Sequence, residues 1–123
     1  MRPPAGRGPF DALIQQESGG RPGVLGPQTR YGRAEGLTQM LPATAEGAAK
    51  RLGVPWRPDL MRATSAEGAA YQRALGEAYF QQGMSETGNL RDALHYYHGG
   101  PNRRLWGPKT RAYADAVLRK MGN

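Results

Sequence analysis

Apolar residues near the start of the chain recur with the spacing of an α-helix. Side chains at positions i, i+3, i+4 and i+7 lie on one face of a helix. Phe10, Leu13 and Ile14 take the first three of these positions, and Glu17 takes the fourth. The pattern predicts a first helix over residues 10–18, with an acidic residue at the end of its apolar face.

The rest of the chain predicts four more helices, separated by segments rich in glycine and proline. Proline favours the first turn of a helix, glycine favours its end, and a Thr-x-x-Glu spacing or an asparagine can cap its start. The predicted helices run from Pro42 to Gly53, from Thr64 to Gly83, from a cap at Asn89 to Tyr97, and from Thr110 onward. Residues 19–35 are predicted to form a long surface loop, and no strand is predicted.

The predicted fold class is therefore mainly α: a single domain of about five or six helices with little or no β-structure. A chain of 123 residues is long enough to bury one modest hydrophobic core. Residues 1–8 are rich in proline and glycine, so we expect a flexible lead there and the folded domain over residues 9–123.

The composition excludes some kinds of site and leaves the compartment open. Without cysteine, the chain has neither disulfides nor thiolate metal ligands. No apolar run approaches the length of a membrane span, and the start of the chain has no hydrophobic signal region. We therefore expect no membrane insertion. Either export is arranged from outside this chain, or the domain is delivered within a larger polypeptide or assembly.

Net charge is +7, and basic residues crowd the final third of the chain. This excess favours attraction to a polyanion, either the bacterial cell wall or nucleic acid, although an ordinary solvated surface has the same composition. The aromatic residues fall on apolar helix faces rather than among the basic residues. A helical nucleic-acid-binding module is therefore the weaker interpretation.

The position of Glu17 suits a general acid. A carboxyl group at the edge of an apolar face is partly desolvated, which disfavours its charged form. The unpaired carbonyls of the last helical turn oppose a negative charge as well. Both effects favour a proton held near neutral pH, as a general acid requires. The alternative is that Glu17 reaches water along its own stem and has no catalytic role.

Three short motifs follow one another along the chain. They are Glu17-Ser18; Gly36-Leu37-Thr38-Gln39, which leads into Met40-Leu41-Pro42-Ala43-Thr44-Ala45; and Tyr96-Tyr97-His98-Gly99-Gly100-Pro101. In this order they resemble the motifs of the soluble lytic transglycosylase family, the peptidoglycan-cleaving relatives of goose-type lysozyme. The resemblance covers residues 10–118 and implies a lysozyme-like fold.

The resemblance also implies a mechanism. Glu17 protonates the glycosidic oxygen between N-acetylmuramic acid and N-acetylglucosamine. As a carboxylate, it then takes the proton of the muramoyl C6 hydroxyl, which closes onto C1 and leaves a 1,6-anhydro end. The only other acids near the first two motifs are Asp11, on the opposite side of the first helix, and Glu35. A single-acid mechanism therefore fits better than one that needs two carboxylates.

Six further residues are candidates for substrate binding: Ser18, Gln39, Leu41, Tyr97, His98 and Tyr113. Tyr97 ends the apolar face of its helix as Glu17 ends that of the first, so we expect the two side chains to meet in a cleft. Core packing is the alternative for Tyr97. Gln39 could instead bind loop carbonyls. Ser18 could hydrogen-bond the acid, or it could cap backbone groups at its helix end.

The chain departs from the family pattern at Thr38 and Leu41, where methionine is usual, and at His98, where asparagine is usual. The first two departures bear on the sugar subsites, because methionine commonly supplies adaptable contact surface. His98 and His95 have a spacing that could place both on a metal, but two histidines without further ligands make a poor site. We expect no metal and no cofactor.

The predicted function is a lytic transglycosylase that acts in the periplasm or cell wall, as a monomer when isolated, to open the wall locally for a phage particle. One alternative is a muramidase that hydrolyses the same bond with water. Another is a bacterial secretion or wall-remodelling enzyme.

Overall fold

The structure, a computed structural model, describes residues 7–122. Within them the chain forms six α-helices, a short 3-10 helix and one antiparallel pair of strands. In chain order these are α1 (Pro9–Ser18), β1 (Leu25–Thr29), β2 (Gly32–Glu35), α2 (Pro42–Leu52), α3 (Pro58–Met61), α4 (Ala66–Thr87), α5 (Leu90–Gly99), the 3-10 helix (Arg103–Leu105) and α6 (Pro108–Arg119). The predicted class, mainly α with five or six helices and little β, is confirmed.

The chain divides into two compact units. One, here called the terminal unit, comprises the chain up to Gln16 together with the chain from Phe80 onward; the other, the central unit, is Glu17–Tyr79. Most of the predicted flexible lead, residues 1–8, lies outside the described residues, as does residue 123, so the domain boundaries stay predictions. No helix in the range 7–122 has the length and apolarity needed to cross a bilayer.

Helix α2 of the central unit has the predicted start and end. Pro42 occupies its first turn, and Gly53 closes it in the left-handed conformation with φ +72°. Ala45, Ala48 and Ala49 are buried, as a small-residue packing face predicts. Leu52, the last residue of the helix, is 45% exposed.

The segment 19–35 contains a β-hairpin that the sequence did not predict. Thr29 pairs with Gly32 at the tip, and the register shifts between Leu25 and Gln28. Gly26 is the one buried residue of β1, so the strand lacks the alternation of apolar and polar positions that would reveal it. A side-chain hydrogen bond also joins the two strands: Nε of Arg33 donates to the carbonyl of Gly26 at 2.6 Å.

Helix α4 differs from its prediction at both ends. It begins at Ala66, where the Ser65 hydroxyl, rather than Thr64, accepts a hydrogen bond from the Gly68 amide at 3.1 Å. It continues past Gly83 to Thr87. The connector before it also contains the short helix α3, which the sequence did not predict.

Within the central unit, α4 packs closely against the segment 36–39. Thr38 is fully buried, and a Cβ atom at position 76 would lie 2.6 Å from the Cβ of Thr38. Only glycine at position 76 leaves room for this contact. Position 38 is therefore a packing position, which explains physically why a compact threonine stands there instead of a methionine.

In the terminal unit, α5 and α6 supply most of the buried residues. Asn89 caps α5 as predicted, since its side chain accepts from the Asp92 amide at 2.9 Å. Helix α6 begins at Pro108, two residues before the predicted start, and Thr110 binds back to Gly107. Leu94 and Val117 are fully buried.

Gly76→Ala is expected to destabilise the protein. Alanine at a helical glycine ordinarily stabilises by about 0.5–1 kcal/mol, but the clash with Thr38 should cost about 1–3 kcal/mol. The matched control is Gly47→Ala on α2, where an added Cβ meets nothing within 4 Å. Urea unfolding should show a lower free energy of unfolding for the first variant and a higher one for the second. Equal effects would contradict the packing role of Gly76.

Candidate active site

The proposed acid ends helix α1. Glu17 is half-buried and the next residue, Ser18, is buried. The Ser18 hydroxyl donates to the carbonyl of Leu37 at 2.7 Å and accepts from the amide of Gly20 at 3.2 Å. Ser18 therefore caps the helix end, one of its two expected roles, and also ties the first motif to the second.

The first four residues of the second motif form a loop that two backbone hydrogen bonds close. The amide of Glu35 donates to the carbonyl of Met40 at 3.0 Å, and the amide of Met40 donates to the carbonyl of Glu35 at 3.1 Å. Gly36 to Gln39 lie between these bonds. Below, residues 36–39 are called the motif-two loop.

Gln39 is held within the motif-two loop by its own side chain. Its φ of +51° lies in the left-handed region, which residues other than glycine seldom adopt. Its Nε2 donates to the carbonyls of Val24 at 2.9 Å and Gly36 at 3.0 Å. The alternative role expected for Gln39, binding loop carbonyls, is therefore observed.

Gln72 on α4 binds the motif-two loop, a contact that the sequence analysis missed. It is 0% exposed. Its Oε1 accepts from the amides of Leu37 at 2.7 Å and Gly23 at 3.0 Å, and its Nε2 donates to the carbonyls of Leu60 at 2.7 Å and Ala63 at 2.9 Å. These four bonds fill the capacity of one amide.

A signal for Gln72 exists in the sequence. Gln72, Leu75 and Gly76 stand at i, i+3 and i+4, so they share one helix face. In the structure Gln72 and Leu75 are buried, whereas Tyr71 is half-buried. A polar residue on a buried face is the informative exception in such a pattern.

Glu35 is engaged in an ion pair. Its side chain is 4% exposed and pairs with Arg62, whose side chain is 60% exposed. A carboxylate held by a guanidinium is poorly placed to exchange protons with a substrate. Asp11, the other acid near the motif, lies exposed on α1. The arrangement favours one catalytic acid over a carboxylate pair.

The remaining candidate of the central unit, Leu41, is half-buried and immediately precedes α2 at its N-cap position. It follows Met40, which is buried and closes the motif-two loop.

Three candidates lie in the terminal unit. Tyr97 on α5 is 8% exposed. The next residue, His98, stacks on Tyr113 of α6 with ring centroids 4.5 Å apart and an interplanar angle of 14°. The expected encounter of Tyr97 with Glu17, which belongs to the central unit, stays a prediction.

The two histidines of α5 have different neighbours. His95 shares a hydrogen bond of 2.8 Å between Nδ1 and the Thr110 hydroxyl, and its ring stacks on Trp106 at 5.2 Å. His98 instead faces Tyr113. Throughout the described range 7–122, no group of three or more His, Asp and Glu side chains is arranged to hold a metal ion.

The imidazole of His98 is shifted towards its neutral form. Although His98 is exposed by its total area, its ring lies against Tyr113. Desolvation lowers its pKa below the ordinary value of 6.5, and the charge of Lys109 lowers the pKa further. His98 is therefore mostly neutral at pH 7.

Arg62→Gln and Glu35→Gln should lower the free energy of unfolding by different amounts. Arg62→Gln leaves a buried carboxylate without its counter-charge, and we expect a loss of about 1–3 kcal/mol in the free energy of unfolding. Glu35→Gln should cost less, because Arg62 is mostly exposed and can be hydrated. Urea unfolding of both variants checks the order, and a larger loss for Glu35→Gln would contradict it.

His98 should make stability depend on pH. Because its folded-state pKa is depressed, the unfolded chain binds the proton more readily, and stability falls as pH drops below about 6.5. His98→Asn should flatten this dependence between about pH 7 and 5. Unfolding at several pH values, with NMR titration of the imidazole, measures it; an unchanged slope would contradict the assignment.

Comparison with known proteins shows which family this chain matches. Residues 9–118 match the model of the family described as Transglycosylase SLT domain. A transglycosylase of Enterobacteria phage PRD1 is 34% identical over 110 residues, which are 89% of this chain and 35% of that protein.

Two solved structures are similar in fold. The 70 kDa soluble lytic transglycosylase Slt70 of Escherichia coli superposes with a TM-score of 0.67 at 26% identity, over 89% of this chain and 20% of that one. An inactive mutant of the lytic transglycosylase Slt of Pseudomonas aeruginosa gives a TM-score of 0.65 at 23% identity, over 92% of this chain and 20% of that one. The predicted fold of a lytic transglycosylase domain is confirmed.

This chain spans about a third of the phage relative and a fifth of the two solved enzymes. The match of the family model extends from the first residue of α1 almost to the end of α6 and includes all three motifs. The chain belongs to the transglycosylase SLT domain family.

Proposed function

We propose that this chain is a peptidoglycan lytic transglycosylase, with Glu17 as its catalytic acid and base. The observation that carries the proposal is the family match over residues 9–118, which includes Glu17-Ser18 at the end of α1. The phage relative is itself named a transglycosylase, and both similar solved structures are lytic transglycosylases.

In the proposed reaction one carboxyl group acts first as a general acid and then as a general base. Glu17 first gives its proton to the glycosidic oxygen between N-acetylmuramic acid and N-acetylglucosamine, so the leaving sugar departs as an alcohol. The resulting carboxylate then takes the proton of the muramoyl C6 hydroxyl while its oxygen bonds to C1. The product is a 1,6-anhydro end, and Glu17 regains its proton.

One observation supports a single acid. Glu35, the other acid beside the motif-two loop, is buried in its pair with Arg62. A hydrolase with two working carboxylates would need a second carboxyl group within roughly 5–10 Å of the first.

The substrate-binding assignments divide into direct and indirect roles. Tyr97, His98, Tyr113 and Leu41 are proposed to contact the sugars. Gln39 and Ser18 are proposed to act mainly by holding the motif-two loop, because their polar groups bind backbone atoms. The neutral state of His98 suits a hydrogen bond with an uncharged sugar group.

The proposed place of action is the bacterial cell wall, and the proposed role is local wall opening by a phage particle. The similarity to a protein of phage PRD1 supports that role over a bacterial secretion or remodelling enzyme. The net charge of +7 favours approach to an anionic wall.

Glu17→Gln is expected to lower the rate of wall cleavage by about 10²–10⁴-fold, because the amide cannot transfer the proton. Zymography on purified peptidoglycan measures the loss. The matched control is Glu46→Gln, which changes an exposed acid of α2 and should leave the rate unaltered.

Mass spectrometry of the products separates the two reactions on this bond. Anhydro ends, lighter by one water than hydrated reducing ends, are expected. Hydrated ends alone would make the protein a muramidase, and cleavage retained by Glu17→Gln would reject the catalytic assignment.

A further inference from the structure

We propose that Gln72 is a positioning residue for the catalytic acid. Its amide fixes the peptide of Leu37, Leu37 fixes Ser18, and Ser18 fixes the helix end that carries Glu17. This inference rests on the proposed function, since it assigns Gln72 a role in the reaction through Glu17.

The link passes through both sides of one loop residue. The amide of Leu37 donates to Oε1 of Gln72 at 2.7 Å, and the carbonyl of Leu37 accepts from the hydroxyl of Ser18 at 2.7 Å. Leu37 and Ser18 are both buried, so water does not compete readily for either bond. Ser18 is covalently joined to Glu17, which places the acid two hydrogen bonds from Gln72.

The other bonds of Gln72 fix the orientation of its amide. Oε1 also accepts from Gly23, and Nε2 donates to the carbonyls of Leu60 and Ala63. A reversed amide would place its NH2 group against two N–H donors and its oxygen against two carbonyls. Every partner therefore selects the same orientation, and the oxygen stays on Leu37.

Packing leaves the amide no room to shift. A Cβ atom at position 36 would lie 2.8 Å from Oε1 of Gln72, so the motif-two loop touches the amide through a glycine. Gln72 is also fully buried. The side chain thus sets where the loop lies on α4.

Such positioning matters for an acid at a helix terminus. The last helical turn lacks part of its backbone bonding, so it frays unless other groups hold it. A general acid must lie within about 2.6–3.2 Å of the atom that it protonates. A displacement of roughly 1 Å can cost about 10²-fold in rate. Loss of the Gln72 link should therefore lower kcat more than it raises KM.

The test compares Gln72→Met with Leu75→Val, a mild cavity variant at a fully buried position of the same helix. Rates on soluble peptidoglycan fragments are measured at a temperature where circular dichroism shows both variants folded. Gln72→Met should lower kcat by about 10- to 100-fold with little change in KM. Leu75→Val should lower the Tm without that loss of kcat. Equal kcat for the two variants would overturn the proposal.

A double-mutant cycle tests the route. Ser18→Ala removes the hydroxyl bond to Leu37, so adding Gln72→Met to it should lower kcat far less than the same change does in the unmodified protein. Leu75→Val should instead reduce kcat by the same factor in both backgrounds. Independent, multiplicative effects of Gln72→Met and Ser18→Ala would reject the route through Leu37.

Gln72→Glu provides a conservative variant with a pH readout. It keeps an oxygen acceptor for Leu37, and once protonated it can also donate to Leu60 or Ala63. Its kcat relative to that of Gln72→Met should therefore rise as the pH falls. A constant ratio would count against the hydrogen-bonding role.

A measurement without substrate separates this inference from the proposed function. The amide of Gly20 donates to the Ser18 hydroxyl, so its hydrogen exchange should accelerate in Gln72→Met and stay slow in Leu75→Val. If the protein cleaves no peptidoglycan, the proposed function fails and so does the catalytic role of Gln72. If Glu17→Gln is inactive while Gln72→Met keeps full kcat and slow exchange at Gly20, only the positioning role fails.

Discussion

The four hydrogen bonds of Gln72 are the constraint on which the central unit depends. Burying an amide without partners costs several kcal/mol, whereas a fully bonded amide stabilises what it binds. Its partners are backbone groups of three segments: the loop at Gly23, the loop at Leu37, and the stretch 60–63, where helix α3 ends. Loop groups and the last carbonyls of a helix have no partner within regular structure, yet they must be paired when buried. The side chain of Gln72 supplies that pairing.

Small residues make that arrangement possible. Gly36 lets the motif-two loop touch the amide of Gln72, and Gly76 admits Thr38 against α4. Both contacts bring backbone and helix closer than any larger residue permits. The threonine at position 38 and the glycine at position 76 therefore form a complementary pair, and this packing favours a compact side chain at position 38.

The helices could be predicted from the sequence because their apolar residues keep a helical spacing, as on α1 and α5, and because Pro42 and Gly53 delimit α2. The hairpin could not, since β1 and β2 are short, contain two glycines and a proline, and lack an alternation of buried and exposed positions. For the candidate site, the motifs led to the hypothesis that Glu17 and its neighbours carry the chemistry. The hydrogen bonds of Gln72 and the Glu35–Arg62 pair join residues far apart in sequence, which no local pattern records.

The closed geometry of the motif-two loop has a consequence for how this scaffold can diversify. Paired backbone bonds between Glu35 and Met40 enclose four residues, and Gln39 completes the turn in a left-handed conformation. We expect an inserted residue to break these two backbone bonds and to move Leu37 away from Gln72 and Ser18. New specificities at this loop would therefore arise by substitution of side chains rather than by insertion. The hydrogen bonds at the tip of the neighbouring hairpin instead join Thr29 to Tyr31 and Gly32, and Tyr31 is 66% exposed. Residues inserted at this tip are expected to leave the motif-two loop unchanged, so the tip is the place where the protein can be extended.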